Sequence, residues 1–236
     1  MQRSNANLSL DSSSNQKVDS EFLFKIPTQV QIFLITENRN HTVIKLGKNS
    51  IVLNEKINLK DFSQAFLNIF GQQIQIKLTG SSELENGFYF ELSSIEFANK
   101  FHSILKDITN GKSLTKVNPN ILREKYKSGN WIHLRGQGPI DFKFELEKEE
   151  KLSQFYLRFL EGSTYQNLDF LNGNIMTSKS YHQMHDKEKI EVPLQKKSSK
   201  MIFRGACILS GLFNNEDHRN IADQTLKILE KTKALP

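Results

Sequence analysis

Residues Lys196–Gly211, KKSSKMIFRGACILSG, decide how this sequence is interpreted. Three lysines and an arginine interrupt a run that is otherwise apolar and prone to form β-strands, and a helical pattern follows. The pieces SKMIF and GACILSG therefore predict two strands of a hairpin, preceded by a basic turn. The simplest interpretation is a hairpin with a solvated turn. The sharper one is a surface on which the charges lie along a phosphate backbone while Phe203 wedges into a base step.

Composition limits the class of protein. The 236 residues suit one larger domain or two lobes of about a hundred residues each. A formal net charge of +6 favours an anionic partner such as nucleic acid without requiring one. The single cysteine, Cys207, allows neither a disulfide framework nor a cysteine-rich zinc site, so a reducing compartment fits best. We find no run of about 20 apolar residues and no apolar secretory signal, and we expect the cytosol or nucleus.

The first half reads as a tail followed by one lobe. Residues 1–20 are rich in Ser and Asn and predict a disordered tail. Residues 21–111 predict an N-terminal lobe of strands and helices that ends near Gly111. Its predicted strands are EFLFKI, QVQIFLI, TVIKL, SIVL, QIQIKL and GFYFEL, and its predicted helices are NLKDFSQAFLNIF and SSIEFANKFHSILKDI.

The second half repeats this order of elements. A polar, Lys-rich linker covers residues 112–130, and a C-terminal lobe covers residues 131–236. That lobe predicts a strand at PIDFKFEL, a helix in EEKLSQFYLRFLEG, a long polar loop, a strand at KIEVPL, the two strands of the opening stretch, and a final helix from Asn215. The expected fold class is α+β, with two tandem lobes of antiparallel sheet packed with helices.

The C-terminal pattern resembles one lobe of the TATA-box-binding protein family. That lobe carries a basic-Thr-Thr turn, an Ile-Phe strand end, a Gly turn and a Thr-Gly strand end. Lys197-Ser198-Ser199 match the first, Ile202-Phe203 the second, Gly205 the third and Ser210-Gly211 the fourth. The N-terminal half matches only in the order of its elements. The resemblance implies a saddle whose concave sheet faces DNA and whose convex helices contact other transcription proteins.

Function and site follow from this resemblance together with the basic turn. The chain is expected to act in the nucleus as a divergent transcription initiation factor on A·T-rich double-stranded DNA, contacting the minor groove. No cofactor, small-molecule substrate or membrane is expected. The predicted DNA-binding residues are Lys196, Lys197, Ser198, Ser199, Lys200, Phe203, Arg204, Ile208 and Ser210.

Each of these residues also has an ordinary structural interpretation. Phe203 could belong to the core, the lysines could be a solvated turn, and Ile208 could point inward from an alternating strand. The segment YHQMHD brings His182, His185 and Asp186 close in sequence, but solvated loop histidines explain it better than a metal site. No phosphate loop and no nucleophile motif is present, which argues against an enzyme.

A second function stays open beside DNA binding. The chain could be a non-enzymatic protein-interaction subunit, either a Mediator-type relative of the same family or a pleckstrin-homology-like module whose strands end in one long helix. The two functions predict different sheet faces. Small apolar residues rimmed by Lys and Arg favour DNA, whereas Phe, acidic residues or a covering helix favour a protein partner.

Overall fold

The computed structural model describes residues 23–57, 63–82, 84–118, 130–182, 189–193 and 197–231, with only the backbone described at 181–182 and 189–193. The predicted tail, residues 1–20, lies outside the described residues. The described chain has the α+β class that the sequence predicts, with antiparallel sheets and three α-helices. None of these helices is long and apolar enough to cross a membrane.

The N-terminal strands close into a six-stranded antiparallel barrel. Around the barrel the order is β3-β2-β5-β6-β7-β4, and pairing of β3 with β4 closes it, while β1 adds to the outer edge of β3. The strands are β1 (Phe24–Lys25), β2 (Val30–Leu34), β3 (Arg39–Leu46), β4 (Ser50–Leu53), β5 (Gln64–Ile69), β6 (Gln72–Ser81) and β7 (Gly87–Leu92). Closure pairs both edges of the sheet and leaves the apolar side chains inside.

Alternation and turn chemistry explain the barrel strands. In β5 the buried residues Ala65, Leu67 and Ile69 alternate with more exposed ones, which is the period of a strand with one buried face. The turn after β5 is Phe70-Gly71, and both residues have positive φ, 49° and 84°. Such a two-residue turn matches the twist of an antiparallel hairpin.

One long helix, α1 (Ile95–Lys112), follows the barrel. The side chain of Ser94 caps its N-terminus by accepting a hydrogen bond from the backbone N–H of Phe97 at 3.2 Å. The ring of Phe101 packs edge-on against Phe90 of the barrel, with ring centres 5.5 Å apart. The apolar core of the barrel therefore extends onto the packed face of α1.

The second sheet is a meander of seven antiparallel strands in sequential order. Its strands are β8 (Thr115–Lys116), β9 (Trp131–Arg135), β10 (Asp141–Leu146), β11 (Leu152–Glu161), β12 (Thr164–Leu171), β13 (Asn174–His182) and β14 (Lys189–Pro193). The turn between β12 and β13 is Asn172-Gly173, again with both φ values positive, at 50° and 78°. This dipeptide strongly favours a two-residue hairpin.

Two helices cover one face of this sheet, α2 (Ser199–Gly211) and α3 (Arg219–Lys231). Short 3-10 turns join them at Leu212–Asn214 and Glu216–His218, and a third lies before β11 at Lys148–Glu150. The side chain of Gln224 on α3 accepts a hydrogen bond from the backbone of Leu152 at 2.9 Å. In the part of the chain that the structure describes, the sheet therefore has one face packed against helices and one face that no helix covers.

Helices α1 and α2 cross in direct backbone contact. A Cβ atom at Gly111 would lie 1.7 Å from the carbonyl oxygen of Ile208, and one at Gly211 would lie 2.2 Å from that of Ile108. Only glycine permits this approach, because any other side chain would overlap the opposite backbone. The crossing joins the barrel and its helix to the second sheet, and the buried apolar residues of both halves form one cluster.

The structure confirms part of the predicted element order and corrects four regions. The strands at β2, β3, β4, β6, β7, β10 and β14 and the helices α1 and α3 are confirmed. The helix predicted at NLKDFSQAFLNIF is wrong in its described part, which is β5, and the helix predicted at EEKLSQFYLRFLEG is wrong because it is β11. The predicted long loop after it is the hairpin β12–β13, and the two strands predicted at SKMIF and GACILSG are the single helix α2.

Candidate binding surfaces

The predicted DNA-binding stretch lies on a helix and not on a sheet. Lys196 lies outside the described residues, and Lys197 is exposed just before α2. Ser198 is the N-cap of α2: its hydroxyl accepts from the backbone N–H of Met201 at 3.4 Å, and its own N–H donates to the Oγ1 of Thr177 at 3.1 Å. Ser199 is the first helical residue. The serines that resemble a basic-Thr-Thr turn therefore start a helix.

Ile208 and Ser210 are buried in the middle of the protein. Both have 0% exposure, and the hydroxyl of Ser210 donates to the carbonyl of Cys207 at 2.7 Å. The prediction that they share an exposed strand face is wrong, because they belong to the last turns of α2 where that helix crosses α1. Burial also raises the pKa of the neighbouring Cys207 thiol well above its usual value.

The remaining three predicted residues lie together where α2 meets α1. Phe203 is half-buried and packs against the core. Lys200 forms an ion pair with Glu161 at 2.5 Å, and this hydrogen bond is the main reason that the pKa of Glu161 is lowered. Arg204 binds both oxygens of Asp107 at 2.9 Å, and these bonds raise the pKa of the guanidinium. The structure thus brings Lys200, Phe203 and Arg204 together, in a setting the sequence did not predict.

A different surface stands out, the helix-free face of the second sheet, which we call the outer face. Phe142, Phe155, Leu157 and Phe159 are buried, and the residues that alternate with them belong to the outer face. Its described residues include Trp131, His133, Arg135, Asp141, Lys143, Glu145, Gln154, Tyr156, Arg158, Tyr165, Asn167, Asp169, Met176, Ser178 and Ser180.

Aromatic rings and a guanidinium form a diagonal across the outer face. The rings of Trp131 and Tyr156 lie 5.6 Å apart between centres. The guanidinium carbon of Arg158 lies 3.6 Å from the ring centre of Tyr165, which is the geometry of a cation–π contact. Three large flat side chains and one arginine thereby occupy neighbouring positions on strands β9, β11 and β12.

Polar groups on the outer face are bound to one another. Asp141 accepts from His133 at 3.1 Å and from Arg135 at 2.9 Å. Glu145 accepts from the amide of Gln154. Asn167 donates to the hydroxyl of Ser178 at 3.0 Å. These contacts fix the side chains in place before any ligand arrives.

The ionisable side chains of the outer face are balanced in number. Arg135, Lys143 and Arg158 are basic, whereas Asp141, Glu145 and Asp169 are acidic. The described part of this face therefore has no net charge apart from its histidine. A surface evolved for a phosphate backbone carries a positive excess instead.

The pKa of Asp141 is held far below its ordinary value. Burial of the carboxyl raises the pKa, but the hydrogen bonds and charges of His133 and Arg135 together outweigh that effect. A depressed carboxyl pKa stabilises the fold above the unfolded-state pKa of about 3.9, and the contribution is lost as the pH falls below it.

We therefore expect Asp141→Asn to destabilise the protein at neutral pH and to cost less at about pH 3, where the unfolded wild-type carboxyl is already protonated. Urea unfolding of wild type and variant at several pH values measures this difference. Glu91→Gln, on the exposed side of β7, serves as the control. A loss of stability for Asp141→Asn that does not change with pH would contradict the role of the charge.

The outer face is not evident from the sequence, because the apolar spacing of residues 149–162 predicts a helix where the structure has β11. The segment Phe155–Leu160 alternates strictly between buried and more exposed residues, and that alternation was the available signal for Tyr156 and Arg158. The histidine group considered for metal, His182, His185 and Asp186, lies outside the described side chains. Among those that are described, no group of His, Cys, Asp or Glu is arranged to hold a metal ion.

Comparison with known proteins finds no counterpart: no protein-family model, no curated protein and no solved structure matches this chain.

Proposed function

We propose that this chain is a non-enzymatic protein-interaction subunit, which binds a folded partner through the outer face of its second sheet. The observation that carries the proposal is the diagonal of Trp131, Tyr156, Arg158 and Tyr165. Trp, Tyr and Arg are the residue types that dominate the binding energy of protein interfaces, because they combine a large contact area with a polar group.

Charge balance supports a protein partner over a nucleic acid. The described part of the outer face carries three basic and three acidic side chains, and a partner with charges in a complementary arrangement can pair with them. A phosphate backbone would meet Asp141, Glu145 and Asp169 as repulsive charges. The mutual hydrogen bonds of these polar groups also favour a preorganised contact surface over acid–base chemistry, which needs a group available to the substrate.

The architecture is in keeping with this function. Strands closed into a barrel and followed by one long helix give the element order expected of a pleckstrin-homology-like module. A module of this kind is one form of the non-enzymatic interaction subunit that the sequence leaves open. The outer face then lies on a second, separate sheet, so that the chain would present the barrel and the sheet to an assembly as one unit.

DNA binding is the second candidate, in the form of a divergent TATA-box-binding-like factor in the nucleus. It is favoured by the net charge of +6 and by aromatic rings that lie beside arginine on a helix-free sheet face. If this candidate is right, affinity for an A·T-rich duplex falls steeply as salt increases, because bound phosphates release counterions. Absence of duplex binding at low salt would remove it.

Affinity purification with matched variants tests the protein-interaction function. A tagged chain is expressed in the cells that it comes from, and proteins recovered with it are quantified after nuclease treatment. We expect Trp131→Ala and Tyr156→Ala to reduce recovery of specific partners, since loss of an interface hot spot costs about 2 kcal/mol or about 30-fold in affinity.

The control is Lys48→Ala, an exposed position on the barrel side of the molecule. Circular dichroism melting establishes that each variant is folded. Equal recovery of all partners by wild type and by the outer-face variants would overturn the proposal. So would recovery that depends entirely on intact nucleic acid.

A further inference from the structure

A second candidate binding site lies in a cleft between α1 and α2, away from the outer face. Two adjoining hollows of about 560 and 360 Å³ make up this cleft. They share Ser103, Asp107, Lys200 and Arg204, so they form one continuous depression along the helix pair. Concave sites of a few hundred Å³ are large enough to bind several side chains of a ligand.

Two ion pairs give the cleft a fixed shape. Arg204 binds Asp107 through two hydrogen bonds of 2.9 Å, and Lys200 binds Glu161 at 2.5 Å. Arg204 also approaches Glu161 at 3.9 Å, so the two pairs are linked. A planar guanidinium held on both sides by carboxylates does not change position easily.

The cleft keeps a positive excess after this pairing. Asp107 and Glu161 are the acidic residues that line it, and both are engaged by Arg204 and Lys200. Lys100 lines the smaller hollow and Lys106 the larger one. Neither lysine forms a salt bridge with a described residue, so their charges are available to an anionic ligand.

Apolar side chains lie between the charges. Phe203 lines the smaller hollow and Phe159 and Ile140 the larger one. The guanidinium of Arg204 stands over the Phe159 ring at 4.9 Å from its centre. A ligand that fits this cleft therefore combines negative charge with at least one apolar group.

We propose that the α1–α2 cleft binds an acidic linear segment of a partner protein, with an apolar side chain seated against Phe203. Charge complementarity favours this ligand, because Lys100 and Lys106 attract Asp and Glu while Phe203 selects the apolar residue between them. A peptide satisfies both demands, whereas a nucleic acid backbone carries no apolar side chain. This site is independent of the outer face, and it adds a second point of contact to the same subunit.

Selection from a displayed library of random peptides, about twelve residues long, tests the proposal with a defined probe. Enriched peptides are expected to carry Asp and Glu around an aromatic or aliphatic residue. Their affinity for Lys100→Glu/Lys106→Glu should be at least about tenfold lower than for wild type, because both charges are reversed at the site. The control Lys48→Glu changes net charge far from the cleft and should leave the affinity unchanged.

The outcomes separate the two surfaces. Tyr156→Ala should not lower the affinity for the selected peptides, because that side chain lies on the outer face. The proposal is overturned if no acidic peptides are enriched, if Lys48→Glu weakens binding as much as the double variant, or if an oligonucleotide of equal charge binds more tightly than the peptides. None of these outcomes decides whether the outer face binds a partner.

Discussion

Replacing Gly111 with alanine should lower the free energy of unfolding by about 3 kcal/mol, as overpacking against rigid atoms does. The added Cβ would lie 1.7 Å from the carbonyl oxygen of Ile208 and 2.7 Å from its carbonyl carbon, so the two helices must move apart. Alanine gains about 1 kcal/mol of helix propensity over glycine, which is too little to offset the clash. Urea unfolding of the full chain measures the change.

Gly205→Ala provides the matched control within the helix pair. Its Cβ would meet the Cδ2 of Leu168 at 2.5 Å, and a leucine side chain can rotate away, unlike a backbone carbonyl. We expect a loss of about 1 kcal/mol or less there, since the propensity gain partly compensates. If Gly111→Ala is no more destabilising than Gly205→Ala, the backbone contact between α1 and α2 is not as close as described.

The second large effect concerns the pair formed by Asp107 and Arg204. Asp107 has 5% side-chain exposure and Arg204 has 20%, so removal of one partner leaves a charge with little access to water. Asp107→Ala should therefore cost about 3 to 5 kcal/mol of folding stability. Thermal or urea unfolding reports the loss, and the same variant should disturb peptide binding in the cleft.

A double variant distinguishes an unpaired charge from simple loss of packing. Asp107→Leu/Arg204→Met replaces both charges with apolar groups, and we expect it to be more stable than Asp107→Ala alone, because no buried charge remains. A double variant that loses the sum of the two single effects would show that the residues contribute separately.

Much of the fold follows from local sequence patterns. The barrel strands β2, β3, β4, β6 and β7 show short β-branched runs with clear turn residues between them, and their prediction is confirmed. Helix α1 combines a Ser N-cap with a helical stripe of apolar residues, and α3 has its own buried stripe at Ile221, Ala222, Thr225, Leu226 and Leu229.

The two helices that were predicted in place of β5 and β11 share one cause, which is ambiguous spacing of the apolar residues. In β11 Phe155 and Phe159 are four residues apart, so they satisfy the helical period as well as the strand period. Leu157 between them is buried, and it decides for a strand. The polar character of the segment that forms the hairpin β12–β13 predicts a loop, although Asn172-Gly173 strongly favours a two-residue hairpin turn.

Helix α2 was unpredictable for a different reason. Nine of its thirteen residues are buried, so its polar face is reduced mainly to Lys200 and Arg204, and its Ile and Phe residues favour strands. The N-cap Ser198 was the one local signal for a helix. Since the sequence predicts strands for the DNA-binding residues, their positions on a helix could not be foreseen, and the outer face depends on the register of the five strands β9 to β13.

The contact between α1 and α2 also sets the order in which the chain can complete its fold during synthesis. Asp107 and Arg204 are 97 residues apart in sequence. At ribosomal rates of 5 to 20 residues per second, α1 leaves the ribosome about 5 to 20 s before its partner helix exists. During that interval the barrel can close by itself, but Asp107 and Gly111 of α1, which α2 later covers, are still exposed to water. The face of α1 that meets α2 therefore becomes buried only after α2 has been synthesised.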